Sequence, residues 1–247
     1  MATMTSPGTA DRRLALDLLG DAAHRVTRTV DALQGDDWAA PSLLPGWTRA
    51  HVVAHLALNA EGMARALHGV VGDEQDGPRP MYASDAGRDR DIHDLARAHH
   101  SEIRDRLLGS TTVLHDAFTA MPEAAWERRV DRTPGGRSMR TSSLPSMRLR
   151  ELEIHHVDLG VDYTTRAWSE PFAVLLLEAM TRRLDPPERI EIRPLDVDRT
   201  WVVGPDGDEG GAIITGPAAD LGWWLTGRPA PATLSCSRGE LPDIEEW

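Results

Sequence analysis

Apolar residues recur at helical spacing through most of the first 160 residues, and this periodicity constrains the fold more than any other feature. Residues three and four apart share one face of an α-helix, so the pattern gives each helix an apolar stripe to bury. Gly35 and Gly160 mark two helix ends, whereas Gly109 lies unfavourably inside the third helix. Four long helices predict a bundle. They are expected at 11 to about 33, from a cap at Thr48 through 67, at 85 to about 118, and at 147 to about 159.

The sequence changes character after Trp168, where short strand-like runs replace the long helical pattern. A helix at 171–184 precedes three such runs, at 189–193, 200–203 and 211–215, and a final helix at 217–225 ends at Gly227. Helices and strands arranged in this order predict a small α+β domain. The expected fold class is therefore α+β, mainly α, with a four-helix bundle at 1–165 and a C-terminal α+β domain at 166–247. Residues 238–247 are expected to form an irregular acidic tail.

The charge of the chain excludes some partners. Its net charge is −12 and its arginines alternate with acidic residues, so no nucleic acid is expected to bind. No apolar run approaches the roughly 20 residues of a membrane-spanning helix, and the N-terminus lacks the features of a secretory signal. We therefore expect a cytoplasmic protein with no membrane partner, and a monomer because no heptad or edge-strand signal is present. The single cysteine, Cys236, has no disulfide partner and is interpreted as a surface or packing residue.

Two of the predicted helices carry residues that could close on one metal ion. Glu151 and His155 are four residues apart and share a face of the fourth helix, and His55 lies on the apolar side of the second. Two imidazoles and one carboxylate form the pattern in which zinc or a similar divalent ion keeps a position for water or substrate. No fourth ligand is evident, which favours catalysis. The alternatives are a solvated Glu–His pair and a core histidine with satisfied hydrogen bonds.

Four further ionisable residues lie beside these three in sequence. His51 precedes the histidine of the second helix by one turn and is a candidate to support a ligand, less suited to bind metal. Glu153 and His156 point away from the shared face of the fourth helix. Asp158 follows His155 by one turn and is a candidate to orient its ring through a hydrogen bond. The alternative for this aspartate is an ion pair with an arginine at the helix end.

Three motifs stand out when these segments are read together. They are Leu44-Pro-Gly-Trp-Thr-Arg-Ala-His-Val-Val-Ala-His55 with Asn59 and Ala60, Pro80-Met-Tyr82, and Met147-Arg-x-Arg-Glu-x-x-Ile-His155 with Val157-Asp-Leu-Gly160. Through them the chain resembles the mycothiol-dependent maleylpyruvate isomerase family over almost its whole length. The resemblance implies a DinB-like four-helix bundle joined to a small α+β domain. It also implies that the metal ligands are His55, Glu151 and His155, the same three residues that helical spacing suggests.

A fourth segment, Gly216-Pro-Ala-Ala-Asp-Leu-Gly-Trp-Trp-Leu-Thr-Gly-Arg228, resembles a C-terminal stretch in which a Gly-Arg pair supplies an arginine to the active site. The resemblance implies that Arg228 is catalytic and holds a substrate carboxylate, a task that suits its bidentate guanidinium group. The alternative is an exposed arginine at a helix C-terminus. Trp223 and Trp224 are bulkier than the resemblance leads us to expect, which mildly favours a larger, apolar substrate.

The resemblance implies mycothiol, a low-molecular-weight thiol, as cosubstrate, together with zinc or another divalent metal. Metal coordination deprotonates a thiol near neutral pH, so the protein need not supply its own nucleophile. The expected reaction is addition of the thiolate to the cis double bond of maleylpyruvate. Rotation about the resulting single bond and elimination of the thiol then give fumarylpyruvate.

Other functions share parts of this chemistry. A mycothiol S-transferase would activate the same thiol and conjugate it to another small-molecule electrophile. A non-catalytic metal-binding stress protein is a further alternative, although a structural metal site normally has a fourth protein ligand. A metal-dependent hydrolase is chemically feasible, yet no residue stands out as its general base.

Overall fold

The chain divides into two structural units, Met1–Asp162 and Tyr163–Trp247. The computed structural model describes residues 7–72, 79–205 and 211–245. Within these ranges the N-terminal unit consists of helices and one small hairpin, and the C-terminal unit combines helices with a four-stranded sheet. The prediction of a mainly α, α+β fold is therefore confirmed. The domain limits 1–165 and 166–247 stay a prediction.

Five α-helices and a two-stranded antiparallel hairpin form the N-terminal unit in the described residues. The hairpin lies where the sequence predicts only a connection, and the first and last helices begin somewhat earlier than expected. The elements are α1 Pro7–Ala32, α2 Arg49–Val71, α3 Asp85–Leu95, α4 His100–Thr119, β1 Arg129–Asp131, β2 Ser138–Arg140 and α5 Leu144–Asp158.

The prediction of a single third helix at 85 to about 118 is wrong, because this segment forms two helices, α3 and α4, with a break between them. His99 has an extended backbone, with φ −61° and ψ 139°, and its side chain accepts a hydrogen bond from the backbone N–H of Ser101. It therefore caps a new helix. Histidine is not among the usual N-cap residues, so the sequence carries no strong signal of this break. Gly109, in contrast, lies inside α4 without interrupting it.

Helix α2 is the centre of the bundle, since it packs against α3, α4 and α5, while α1 packs against α5. Its side chains are buried on nearly all sides, and Leu56, Met63 and Leu67 are completely inaccessible. Burying each such side chain contributes about 1.5–3 kcal/mol to folding. A polar residue at a buried position of this helix must therefore find its partners inside the protein.

The start of α2 is tied to the end of α5. Thr48 caps α2 as predicted, with its N–H 3.3 Å from Nδ1 of His51. Arg49 follows, and its guanidinium group donates to the carbonyls of Leu159 and Gly160 at 2.9 and 3.0 Å. Gly160 has a φ of +64°, the left-handed conformation in which glycine ends a helix without strain. These contacts hold the two helices that carry the candidate ligands against each other.

The C-terminal unit has a mixed sheet with strand order β4-β3-β5-β6. The central strands β3 and β5 are parallel and align Ile192 with Ile214, and β4 and β6 pair antiparallel at the edges. Helices α6 and α7 pack against each other. The two helices and three strands predicted here are present, and β6 is an addition. The elements are α6 Glu170–Thr181, β3 Ile190–Pro194, β4 Trp201–Val203, β5 Ala212–Gly216, α7 Ala218–Trp224 and β6 Ser235–Cys236.

Some sequence predictions touch residues outside the described ranges. The sequence from 69 to 80 is rich in glycine, proline and acidic residues and predicts a break after the second helix, and its residues 73–78 lie outside the described ranges. The predicted tail at 238–247 is described only as far as 245, without helix or strand. Among the described helices, none combines the length and apolar character needed to span a membrane.

Candidate metal centre

Three side chains from α2 and α5 meet inside the N-terminal unit. Glu151 and His155 lie one turn apart on α5, and His55 faces them from the N-terminal half of α2. The Nε2 atom of His55 is 2.8 Å from Oε2 of Glu151, and Nε2 of His155 is 3.3 Å from the same oxygen. The two imidazole rings are 4.7 Å apart and nearly perpendicular. The structure thus brings together the three residues that the sequence predicts as ligands.

The donor set of this cluster fits a divalent metal. One ligand atom from each residue lies within 4.8 Å of the others, so modest side-chain adjustment lets all three contact one ion. Two imidazole nitrogens and one carboxylate oxygen suit zinc and similar borderline ions. In the part of the chain that the structure describes, no further His, Cys, Asp or Glu joins the group. Three protein ligands are typical of a site that leaves a position for an exchangeable ligand.

Electrostatics inside the cluster favour a charged carboxylate. Burial by itself raises the pKa of Glu151, but hydrogen bonds from His155 and His55 outweigh it and hold that pKa well below its ordinary value. Burial lowers the pKa of His55 to about 4, so this imidazole is neutral at pH 7. Burial also acts to lower the pKa of His155, but the carboxylates of Asp158 and Glu151 reverse the direction and raise it. A neutral imidazole and an ionised carboxylate are the forms that bind metal.

Asp158 is the residue that orients His155. Its side chain is completely buried, and Oδ2 accepts a hydrogen bond from Nδ1 of His155 at 2.8 Å. The backbone carbonyl of the aspartate accepts from the N–H of Leu43, which fixes the end of α5. With Nδ1 bound to this carboxylate, the Nε2 atom of His155 faces Glu151 and the metal position, where its lone pair would bind the ion. The structure therefore supports the interpretation in which Asp158 orients the ring of His155 through a hydrogen bond.

The other two histidines considered from the sequence, His51 and His156, lie outside the cluster, as does Glu153. His156 is buried on the face of α5 toward α1, where Nε2 contacts the hydroxyl of Thr29 at 2.7 Å. Glu153 is on the same side and pairs with Arg25. His51 contacts Nδ1 of His93 through its Nε2 at 3.1 Å. None of these three takes part in the cluster formed by the candidate ligands.

A second polar layer surrounds the cluster, and the sequence assigned it no role. Arg148 is buried and donates through Nη1 to the carbonyl of Leu56 and to Oδ1 of Asn59, at 2.8 and 3.0 Å. Burial lowers its pKa to about 10, so its charge persists at pH 7. Tyr82 is buried beside Asn59, and burial raises the pKa of its hydroxyl. Asn59, Tyr82 and Arg148 all lie in the three motifs of the resemblance, which is the signal that could have found them.

Arg88 from α3 also reaches this region, and sequence reasoning missed it. Its Nη2 atom is 3.1 Å from Nδ1 of His55, on the side of the ring away from Glu151. The same residue lines a cavity of about 540 Å³ between the bundle helices and the segment that precedes α3, and Tyr82 lines it too. In sequence Arg88 belongs to an alternating run of arginine and aspartate at 88–91, so nothing distinguishes it from Arg90.

Arg228 lies in the C-terminal unit, just after α7. Its Nη1 donates to the carbonyl of Thr226 at 3.2 Å, and its guanidinium carbon is 5.7 Å from the ring centre of Trp223. These contacts leave its catalytic role a prediction. Trp223 and Trp224 are buried, and Trp223 packs beside Trp168 in the same unit. Packing therefore accounts for this pair, which removes the reason to prefer a larger apolar substrate.

Comparison with known proteins gives a consistent result. Residues 19–160 match the family model described as the mycothiol maleylpyruvate isomerase N-terminal domain, and this span contains the whole cluster. A solved structure of the mycothiol-dependent maleylpyruvate isomerase is 26% identical, with a TM-score of 0.84 over 96% of this chain and 97% of that chain. A histidine-to-alanine mutant of that enzyme is 25% identical with the same TM-score and coverage. Two uncharacterized proteins from two strains of Mycobacterium tuberculosis are each 28% identical over 235 residues, covering 87% of this chain and 85% of theirs.

Proposed function

Since the chain belongs to the mycothiol maleylpyruvate isomerase N-terminal domain family, we propose that it is itself a metal- and mycothiol-dependent maleylpyruvate isomerase. The family is one of cis–trans isomerases. The observation that carries the proposal is the cluster of His55, Glu151 and His155, whose ligand atoms lie within 4.8 Å of one another inside the matched span. We assign these three residues as the metal ligands, with zinc as the expected ion.

The reaction needs a thiol that is nucleophilic at neutral pH. His55, Glu151 and His155 would hold a divalent ion, and such an ion would supply this chemistry by lowering the pKa of a thiol. The thiolate sulfur forms a bond to one carbon of the cis double bond, whose π electrons move into the conjugated carbonyl. The former carbon–carbon double bond is now single and can rotate. Return of the electrons from the enolate then re-forms the double bond in the trans form and breaks the carbon–sulfur bond, which releases the thiolate. The thiol is regenerated, and there is no net redox change.

Each candidate site residue has a defined role in this proposal. His55, Glu151 and His155 hold the metal, and Asp158 keeps the His155 ring oriented. Arg228 is assigned to a carboxylate of the substrate, for which its planar guanidinium group is suited. The expected compartment is the cytoplasm, where thiols are kept reduced.

The proposal is tested by measuring metal content and then the turnover of maleylpyruvate with and without mycothiol, following both isomer formation and free thiol. Fumarylpyruvate formed with the thiol recovered supports the isomerase. Stoichiometric loss of thiol onto an electrophile would instead identify an S-transferase. Zinc-loaded protein that binds mycothiol and leaves maleylpyruvate unchanged would overturn the proposed substrate.

The ligand assignment has its own variants. His155→Ala should lose both zinc and turnover, because two ligands cannot replace the affinity of three. His68→Ala is the matched control, since His68 is an exposed histidine near the end of α2 and outside the cluster. It should retain zinc at wild-type occupancy. Full zinc occupancy together with full turnover in His155→Ala would refute the assignment.

A further inference from the structure

We infer that Arg88 binds a carboxylate of the substrate at the end of the cavity beside His55. This inference rests on the proposed function and adds a specificity-determining residue to it. Maleylpyruvate carries two carboxylates, and Arg228 is assigned to only one of them. A cation near the metal position is suited to bind the second carboxylate.

The contact between Arg88 and His55 is the first step of the argument. A guanidinium group can only donate hydrogen bonds, so the 3.1 Å contact requires a lone pair on Nδ1 of His55. The hydrogen of the neutral ring is then on Nε2, which faces Glu151. A metal bound through Nε2 needs the lone pair on that atom, which moves the hydrogen to Nδ1. Metal ligation through Nε2 and this arginine contact therefore exclude each other.

The consequence is that a loaded metal site makes Nη2 of Arg88 available to another acceptor. Its Nη1 atom contacts Oδ1 of Asp89 at 2.8 Å, but that aspartate side chain is 61% exposed and its attraction is screened by water. The Arg88 side chain itself is only 19% exposed. Water would screen the attraction between Arg88 and a ligand carboxylate inside the cavity less than it screens the attraction between Arg88 and Asp89. We therefore expect Arg88 to bind the ligand carboxylate more strongly.

The cavity has the charge that a carboxylate needs. Arg65, Arg79, Arg88 and Arg90 line it, against the acidic residues Glu61 and Asp91. Glu61 is already engaged by Arg106, whose Nε and Nη2 donate to its two oxygens at 2.7 and 3.0 Å. The balance of charge on the lining is therefore positive. Among these lining arginines, Arg88 contacts a candidate metal ligand, His55, at 3.1 Å.

Tyr82 places the guanidinium group at the boundary between cavity and metal position. Its ring centre is 5.8 Å from the guanidinium carbon of Arg88, and the tyrosine is itself buried. Arg132 approaches the same ring at 5.5 Å and pairs with Asp85, yet it does not line the cavity. Arg132 therefore offers a control that shares the charge and the aromatic neighbour of Arg88 but not its position.

The experiment compares wild type, Arg88→Gln, Arg88→Lys and Arg132→Gln as zinc-loaded full-length proteins. Calorimetric titration with succinate, a dicarboxylate without a double bond, measures binding apart from turnover. We expect Arg88→Gln to weaken succinate binding about 10- to 100-fold, the effect of losing a charge-assisted hydrogen bond. Arg88→Lys should recover part of this loss, and Arg132→Gln should stay within about twofold of wild type. Zinc content should be equal in all four proteins.

Kinetics provide a second readout, in which Arg88→Gln raises the KM for maleylpyruvate by a similar factor and leaves the KM for mycothiol unchanged. Succinate affinity equal to wild type in Arg88→Gln would overturn the inference. Loss of zinc in that variant would overturn it too, because Arg88 would then support the metal ligand. Failure of wild type to bind succinate would also count against it. If Arg88 controls succinate affinity but maleylpyruvate is not isomerised, the proposed function fails and the carboxylate site stands.

Discussion

His155 has a carboxylate on each of its ring nitrogens, and this arrangement sets what the residue can do. Oδ2 of Asp158 accepts a hydrogen bond from Nδ1 at 2.8 Å, and Oε2 of Glu151 lies 3.3 Å from Nε2. The first contact orients the imidazole ring, and the second identifies the side of the ring on which the proposed metal would lie. A hydrogen bond of this kind also makes the opposite nitrogen a better electron donor. We therefore expect Asp158, the acidic residue at the end of α5, to contribute to metal affinity without contacting the metal.

Asp158→Asn tests this contribution. Asparagine keeps an oxygen acceptor for Nδ1 but removes the negative charge, so we expect zinc affinity to fall about 10-fold or more. Competition with a chromogenic chelator measures the affinity. The control is Asp162→Asn, since Asp162 is exposed and lies outside the cluster. Equal zinc affinity in Asp158→Asn and wild type would mean that the aspartate serves only the helix end.

At the level of elements, two glycines in the bundle differ in how the helix would tolerate a side chain at their positions. Gly109 is exposed in the middle of α4, and a Cβ built on it would meet nothing within 4 Å. Gly160 follows α5 with a φ of +64°, a conformation that side chains with a Cβ adopt only with strain. Glycine is thus required at the helix end and only tolerated within the helix.

We predict that Gly109→Ala raises the free energy of unfolding by about 0.5–1 kcal/mol, through reduced chain entropy and better helix propensity. Gly160→Ala should lower it by about 1 kcal/mol or more, because alanine is strained in the left-handed region. Urea unfolding of the zinc-loaded proteins measures both changes. A gain of stability in both variants, or a loss in both, would contradict this assignment of backbone roles.

At the scale of the whole molecule, the candidate ligands and the predicted carboxylate-binding Arg228 belong to different units. The three ligands, their polar surroundings and the cavity are all within Met1–Asp162, and Arg228 lies in Tyr163–Trp247. Each unit has its own buried apolar residues, such as Leu67 in the first and Ile214 in the second. We therefore expect metal binding and turnover to be separable.

A fragment comprising residues 1–165, the predicted N-terminal domain, should fold and bind one zinc ion but should not isomerise maleylpyruvate, because it lacks Arg228. Circular dichroism and zinc analysis measure the first two properties. Full-length Arg228→Ala is the comparison, and it should also retain zinc while losing most turnover. An unfolded fragment would show that the domain limits predicted from sequence do not describe an independent domain. Full turnover by the fragment would remove Arg228 from the active site.

Much of the fold follows from local patterns. Helical spacing located α1, α2 and α5 and indicated the two helices and three strands of the C-terminal unit, because each pattern reflects which face of one element is buried. The pattern could not reveal the break between α3 and α4, where His99 caps a helix in place of a usual capping residue. It also missed the β1–β2 hairpin, since three-residue strands are too short to show alternation.

The sequence by itself determined that Glu151 and His155 share a face, because four residues along a helix return the chain to the same side. Only the tertiary structure decided that His55, 96 positions from Glu151, meets that face. It also decided that Arg88, unlike Arg90, reaches His55. The physical reason is that helix periodicity is a property of the local backbone. Contacts between helices depend instead on how buried surfaces pack, which no spacing within one segment records.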